Sequence, residues 1–199
     1  MKLQNALLLV GGLAAGAVCA LLAIAPTIAE RGGRLPVTVP RHVGQLPMYY
    51  NHTATTGRGP RGYIDMPAAP RWDFGYGLSY TTFAVENVRL EDATIARDGA
   101  TRVLADVTNT GARAGTEVVQ LYVRDRVSSV TRPVKELKGF ARVALRPGET
   151  QTVALDITPD RLAFYDVNMD FVVEPGDFDV MVGTSSRAED LHTVRLQVR

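Results

Sequence analysis

From residue 84 to residue 199 the chain consists of short segments in which apolar and polar side chains alternate, and a period of two is the pattern of a half-buried β-strand. Val103, Ala105 and Val107 form one such row. Val119, Leu121 and Val123 form another, with Gln120, Tyr122 and Arg124 directed to the opposite face. The pattern recurs in Val153, Leu155 and Ile157, in Phe178, Val180 and Val182, and in Val194, Leu196 and Val198. Val85, Val88 and Leu90 begin the series imperfectly. Turn signals separate the rows: Arg97-Asp98-Gly99, Asn109-Thr110-Gly111, Arg146-Pro147-Gly148-Glu149 and Glu174-Pro175-Gly176-Asp177. Lys135-Glu136-Leu137-Lys138 sets charges around one apolar residue and reads as a solvated edge strand. No stretch of this region carries a helical period. About seven short strands at this turn spacing predict an all-β, two-sheet sandwich.

Cysteine usage narrows the sandwich type. Cys19 is the single cysteine, so the chain has no intrachain disulfide and no Cys-Trp-Cys pattern. The expected domain over 84–199 is therefore fibronectin type III-like (within the immunoglobulin-like group) and not antibody-like.

Two other zones precede it. Residues 30–83 are rich in Pro, Gly, Arg and Tyr, with prolines at 36, 40, 47, 60, 67 and 70 that forbid a long helix and interrupt a central strand. The expectation there is an extended Pro/Gly-rich linker lying on a surface, with one short strand near Leu35 to Val39 and an exposed apolar and aromatic patch from Tyr49 to Phe83. Residues 1–29 are apolar and uncharged from Ala6 to Ala29 after Lys2, an expected helical segment. A secretory signal ending at Thr27-Ile28-Ala29 and an uncleaved membrane anchor both fit. The first places the protein in the periplasm or outside the cell, the second at a membrane. Cys19 reads as an inert thiol.

Several motifs carry a family resemblance. Residues Gly33 to His52 (GRLPVTVPRHVGQLPMYYNH) resemble the end of the α/β-sandwich domain of glycoside hydrolase family 3, the β-glucosidase and β-xylosidase type. FGYGLSYTTF (Phe74 to Phe83) resembles that family's entry into its third, fibronectin type III-like domain. VTNTGARAGTEVVQLYV (Val107 to Val123), RPVKELKGF (Arg132 to Phe140), LRPGET (Leu145 to Thr150) and EPGDFDVMVGTSS (Glu174 to Ser186) resemble its internal strands and turns. The resemblance divides the chain into 1–29, a signal- or anchor-like segment; 30–83, the tail of the α/β domain and linker; and 84–199, the fibronectin type III-like domain.

The resemblance implies a retaining O-glycosyl hydrolase in carbohydrate metabolism, needing two carboxyl groups about 5 Å apart. In the family the nucleophile is an aspartate of the N-terminal barrel, and the acid/base lies there or in the α/β domain. Neither position has a counterpart here, so no catalytic residue carries over and the chain alone is expected to be inactive.

The side chains present yield no catalytic, cofactor or metal assignment. Asp65, Asp73, Asp166, Asp170, Asp177 and Asp179 read as turn and strand-end residues that bond local backbone. His42, His52 and His192 lack metal-ligand spacing. Ser79, Ser128, Ser129, Ser185 and Ser186 have no histidine in a nucleophile context. The Gly75-x-Gly77 pair allows a tight bend and is not a nucleotide loop. Tyr49, Tyr50, Trp72 and Tyr76 are expected to pack on the absent α/β domain more than on sugar rings. Asn51-His52-Thr53 matches a glycosylation sequon, meaningful only in a eukaryotic secretory host. With 22 basic and 21 acidic side chains and a net charge of +1, nucleic acid is excluded as a partner. The remaining partners are the absent catalytic domains, a second copy through residues 49–83, polysaccharide, and a membrane if the leader is uncleaved. Two functions stay open: an accessory remnant or split piece of a family 3 enzyme, and a free-standing exported module that binds carbohydrate or protein.

Overall fold

The computed structural model describes residues 33–53 and 67–199. The expected leader, Cys19 and Asp65 lie outside them. The described strands are β1 (Phe83–Leu90), β2 (Thr94–Ile95), β3 (Thr101–Asn109), β4 (Gly115–Asp125), β5 (Glu136–Leu145), β6 (Thr150–Ile157), β7 (Phe164–Tyr165), β8 (Phe171–Val172), β9 (Gly176–Gly183) and β10 (Leu191–Val198). One helical turn, α1 (Pro159–Leu162), follows β6. Proline at its first position pre-sets the helical φ.

The strands form two sheets. One has the order β1-β3-β6 and the other β2-β10-β9-β4-β5, with β7 and β8 as a separate hairpin. All pairings are antiparallel except β2 with β10. The expected all-β sandwich is observed. Its core is the set of alternating residues read from the sequence: Val103, Val107, Val119, Leu121, Ile157, Phe178, Val180, Val182 and Leu196 are fully buried between the sheets. β5 is an edge strand, as its charge pattern requires.

The imperfect start of the alternation has a local cause. The β1–β3 register shifts between Glu86 and Arg89, and Asn87 sits there at φ 51. A bulge inserts an extra residue, so Val85 and Val88 reach the same core from three positions apart. Asn tolerates the left-handed conformation, and its amide donates to Asp106 Oδ2 at 3.2 Å.

The linker expectation for residues 30–83 needs correction. The described parts of this segment are docked on the outer face of the five-stranded sheet. Val39 bridges Trp72, Leu35 N–H donates to Tyr76 O at 3.1 Å, and Gly75 N–H donates to Leu35 O at 2.8 Å. These bonds fold 33–39 against 72–76 as a small two-stranded clasp. Further along, Thr53 bridges Pro133, and Val134 N–H donates to His52 O at 2.9 Å. A segment without a hydrophobic period of its own is thus ordered by bonds to β4, β5 and the loop between them.

Candidate functional site

The clasp covers a polar network that alternation alone would place in solvent. Gln120 and Tyr122 point away from the sandwich core, yet both are buried. Tyr122 OH donates to Gln120 Oε1 at 2.6 Å, and Gln120 Nε2 donates to Gly75 O at 3.1 Å and Thr184 O at 2.7 Å. Every polar atom of the amide is therefore used, and the bond to Gly75 O crosses the joint between clasp and sheet. Ser186 N–H donates to Phe74 O at 2.9 Å. Burial pushes the Tyr122 phenol far above its ordinary pKa, with Tyr50 and Asp73 adding to the shift.

Aromatic rings fill the rest of the joint. Tyr50 stacks on Phe74 with centroids 4.2 Å apart and meets Tyr122 edge-on at 5.8 Å. The Tyr50 hydroxyl accepts from Leu137 N–H at 3.1 Å, which satisfies a backbone donor of edge strand β5. Trp72 stacks on Tyr76 at 4.9 Å, capped by Arg71 over Trp72 and Arg187 over Tyr76. Tyr50 thus packs on the sandwich itself. Gly75 is required here: it sits at φ +75, and a Cβ would overlap Gln120 Oε1 and lie 2.8 Å from Gln120 Cδ.

An ion pair closes the other side. Arg34 Nε donates to Glu117 Oε1 at 2.8 Å, and its Nη2 donates to Glu117 Oε2, so the pair is bidentate; Nη1 donates to Gly77 O. Glu117 is almost fully buried, its side chain 3% exposed. A carboxylate there needs the guanidinium fork to replace its hydration.

Beyond the joint, Leu35 and Val37 of the clasp and Val43, Leu46 and Tyr49 just after it are exposed to solvent, and Leu78 and Tyr80 follow. The expected apolar patch over 49–83 is therefore reduced to Tyr49, Leu78 and Tyr80 among the described residues. An apolar row upstream of it, from Leu35 to Leu46, escaped the sequence reading.

Two hollows lie on this side of the molecule, one beside the clasp and one within the β4–β5 loop. One, about 270 Å³, lies between Thr38, Tyr49, Tyr50, His52, Asp73, Lys135 and Ser186. Burial lowers the Lys135 pKa, with Asp73 partly opposing. The second, about 330 Å³, is framed by the β4–β5 loop with Asp125 and Arg132. These two charges face at 3.6 Å without a hydrogen bond, and burial raises the Asp125 pKa against the pull of Arg132. Arg132 also bonds Glu136 at 2.6 Å and lies over the Phe164 ring at 4.4 Å, which makes it a structural pivot of that loop.

The acidic residues weighed from sequence are dispersed in local roles. Asp73 meets Arg187 at 3.4 Å. Asp166 Oδ1 accepts from the backbone of Asn168 and Asp170 and closes the β7–β8 turn. Asp177 faces Arg195 at 3.8 Å, and Asp179 lies in β9 opposite Arg195 and Arg124. Among the described residues no three His, Cys, Asp or Glu side chains group to hold a metal. No helix among them is long and apolar enough to cross a membrane. Ser185 Oγ donates to Asp190 at 2.6 Å, a turn contact.

Comparison with known proteins identifies this architecture. Residues 117–186 match the fibronectin type III-like domain. The chain is 45% identical over 163 residues to a periplasmic β-glucosidase of Salmonella typhimurium, covering 77% of this chain and 21% of that protein. It is 46% identical over 169 residues to a β-xylosidase of Formosa agariphila, covering 84% and 23%. Among solved structures, a β-glucosidase of Erythrobacter marinus superposes with a TM-score of 0.79 at 41% identity, covering 84% of this chain and 22% of that one. A Listeria innocua β-glucosidase in complex with glucose gives 0.77 at 37% identity, covering 83% and 24%. The chain spans about a fifth of the length of the curated relatives it matches. It carries a fibronectin type III-like domain, and its sequence belongs with the C-terminal, accessory portion of β-glucosidases and β-xylosidases.

Proposed function

We propose that the chain acts as the accessory, docking portion of a family 3 glycoside hydrolase of the β-glucosidase or β-xylosidase type, with the catalytic carboxylates supplied by other domains. The observation that carries this reading is the clasp. Its inner side is fixed to the sandwich by Gln120, Tyr122 and the Arg34–Glu117 pair. Leu35 and Val37 of the clasp, and Val43 and Leu46 just after it, are exposed with no cover among the described residues. In the relatives that match this chain, roughly four-fifths of the sequence lies outside the matched part, and that remainder is the natural occupant of the apolar row. The docking partner is thus the catalytic body of such an enzyme. A periplasmic or extracellular location is part of the proposal, supported by the apolar run before Glu30 and by the periplasmic Salmonella relative.

The test is an assay of the purified full chain on aryl-β-glucoside and aryl-β-xyloside. No turnover above the buffer rate is expected. Turnover that co-purifies with the chain and survives repeated chromatography would overturn the accessory reading.

A further inference from the structure

The hollow of about 270 Å³ between the clasp and the β4–β5 loop borders the joint, and its polar groups are incompletely used. Lys135 Nζ donates to Ser186 O at 2.6 Å, and among the described residues its other two N–H donors have no acceptor. Asp73 meets Arg187 through Oδ2 at 3.4 Å, and its Oδ1 has no donor there. Among the described residues Thr38 Oγ1 is buried without a hydrogen-bond partner. A buried hydroxyl left unpaired is uncommon and needs an explanation. Tyr49, half-exposed, and Tyr50 also line the hollow.

The chemistry of this set discriminates between ligand classes. An ammonium that needs acceptors and a carboxylate that needs donors share one hollow. Their charges oppose, and Asp73 stabilises the protonated amine. A free anion would gain from Lys135 and lose at Asp73, and a cation would do the reverse. A hydroxyl both donates and accepts, so neighbouring hydroxyls on one ring satisfy both groups together. Tyrosine faces offer apolar surface to the C–H side of such a ring. We infer that this hollow is a binding site for a neutral polyhydroxylated ring, a monosaccharide or the terminal unit of an oligosaccharide, gripped between Lys135 and Asp73 beside Tyr49 and Tyr50. The site is formed by this chain alone, so it stands or falls independently of docking to a catalytic body.

The experiment is a titration of the isotope-labelled full chain with methyl β-glucoside, methyl β-xyloside and, separately, glucuronate, followed by amide NMR. Saturable shifts are expected at Tyr49, His52, Lys135 and Ser186 with either neutral glycoside, at a Kd of about 1–10 mM. Binding of glucuronate should be weaker. Lys135→Met and Asp73→Asn should each weaken glycoside binding by about tenfold or more, because each removes a hydrogen bond to a charged group. Undisturbed amide signals from Leu35 and Gly75 in the clasp and from Val180 and Leu196 in the core would show that both variants keep clasp and sandwich folded. No saturable shift with either glycoside would overturn the inference. So would binding that survives both substitutions unchanged, or glucuronate binding tighter than the neutral sugars.

Discussion

Replacing Gly75 by alanine should release the clasp while leaving the sandwich folded. Two costs add. Gly75 sits at φ +75, and a Cβ in the left-handed region costs about 1–2 kcal/mol. The new methyl would also overlap Gln120 Oε1 and lie 2.8 Å from Cδ and Nε2. Gln120 cannot swing aside freely, because its amide is held by Tyr122 OH, Gly75 O and Thr184 O. Moving it leaves at least one buried polar group unpaired, at about 1–3 kcal/mol. The sum is about 2–5 kcal/mol. For a chain of this size each kcal/mol lowers Tm by about 2–4 °C, so the strained clasp should lose roughly 4–20 °C. Gly148→Ala is the internal control. Gly148 has φ +74 with nothing within 4 Å of a Cβ, so it reports the conformational cost alone, about 1–2 kcal/mol. The assay is hydrogen exchange by mass spectrometry beside thermal denaturation. Gly75→Ala should expose the amides of 33–39 and 72–76 while β3, β4 and β9 keep their protection. Equal Tm values for the two variants, or unchanged protection of 33–39 in Gly75→Ala, would refute the argued role of Gln120 as a fixed cross-joint.

Other expectations come from the same contacts. Glu117→Ala strands Arg34 in a half-dry site and should cost about 3 kcal/mol by urea denaturation, whereas Arg34→Met with Glu117→Leu together should cost less, since the double change leaves no unpaired charge. Tyr122 should resist ionisation in an ultraviolet pH titration after ordinary tyrosines have titrated. Its pKa is raised in the fold, so the unfolded chain loses that proton first; the stabilisation is complete below pH ~10 and falls as pH rises above it. Tyr122→Phe should flatten that alkaline loss, and an unaltered slope would contradict the assignment. Phe178→Ala removes a side chain 1% exposed at the centre of the core and should cost about 3–5 kcal/mol, with protection lost from both sheets together.

The sandwich was legible because its information is local. Alternation at 103–107, 119–123, 153–157 and 178–182 names the inward residues directly, and the Pro147-Gly148 and Pro175-Gly176 turns mark where strands end. The clasp was not legible, because its order comes from long-range bonds. Arg34 and Glu117 are 83 positions apart, and Gly75 and Gln120 are 45 apart. Gln120 and Tyr122 fall on the polar face of β4 and read as solvent-facing until a second layer is placed above them. One signal was available: Gln120 and Tyr122, two residues apart on that face, pair an amide with an amphipathic ring, a combination suited to being covered. The two-residue strands β2, β7 and β8 are too short to show any period. Of the hollow beside the clasp nothing was visible, since its wall comes from five separate stretches of chain.

Clasp and sandwich are proposed to form a single accessory unit whose exposed apolar residues dock onto a catalytic body. The direct measurement is a chimera of the Salmonella β-glucosidase in which its matching fifth is exchanged for residues 33–199 of this chain, compared with the same enzyme lacking that portion. The chimera is expected to retain aryl-β-glucosidase activity and thermal stability that the shortened enzyme loses, and to lose them again when Leu35, Val37, Val43 and Leu46 are changed to serine. A chimera no more active or stable than the shortened enzyme, or one indifferent to the four serines, would contradict this docking.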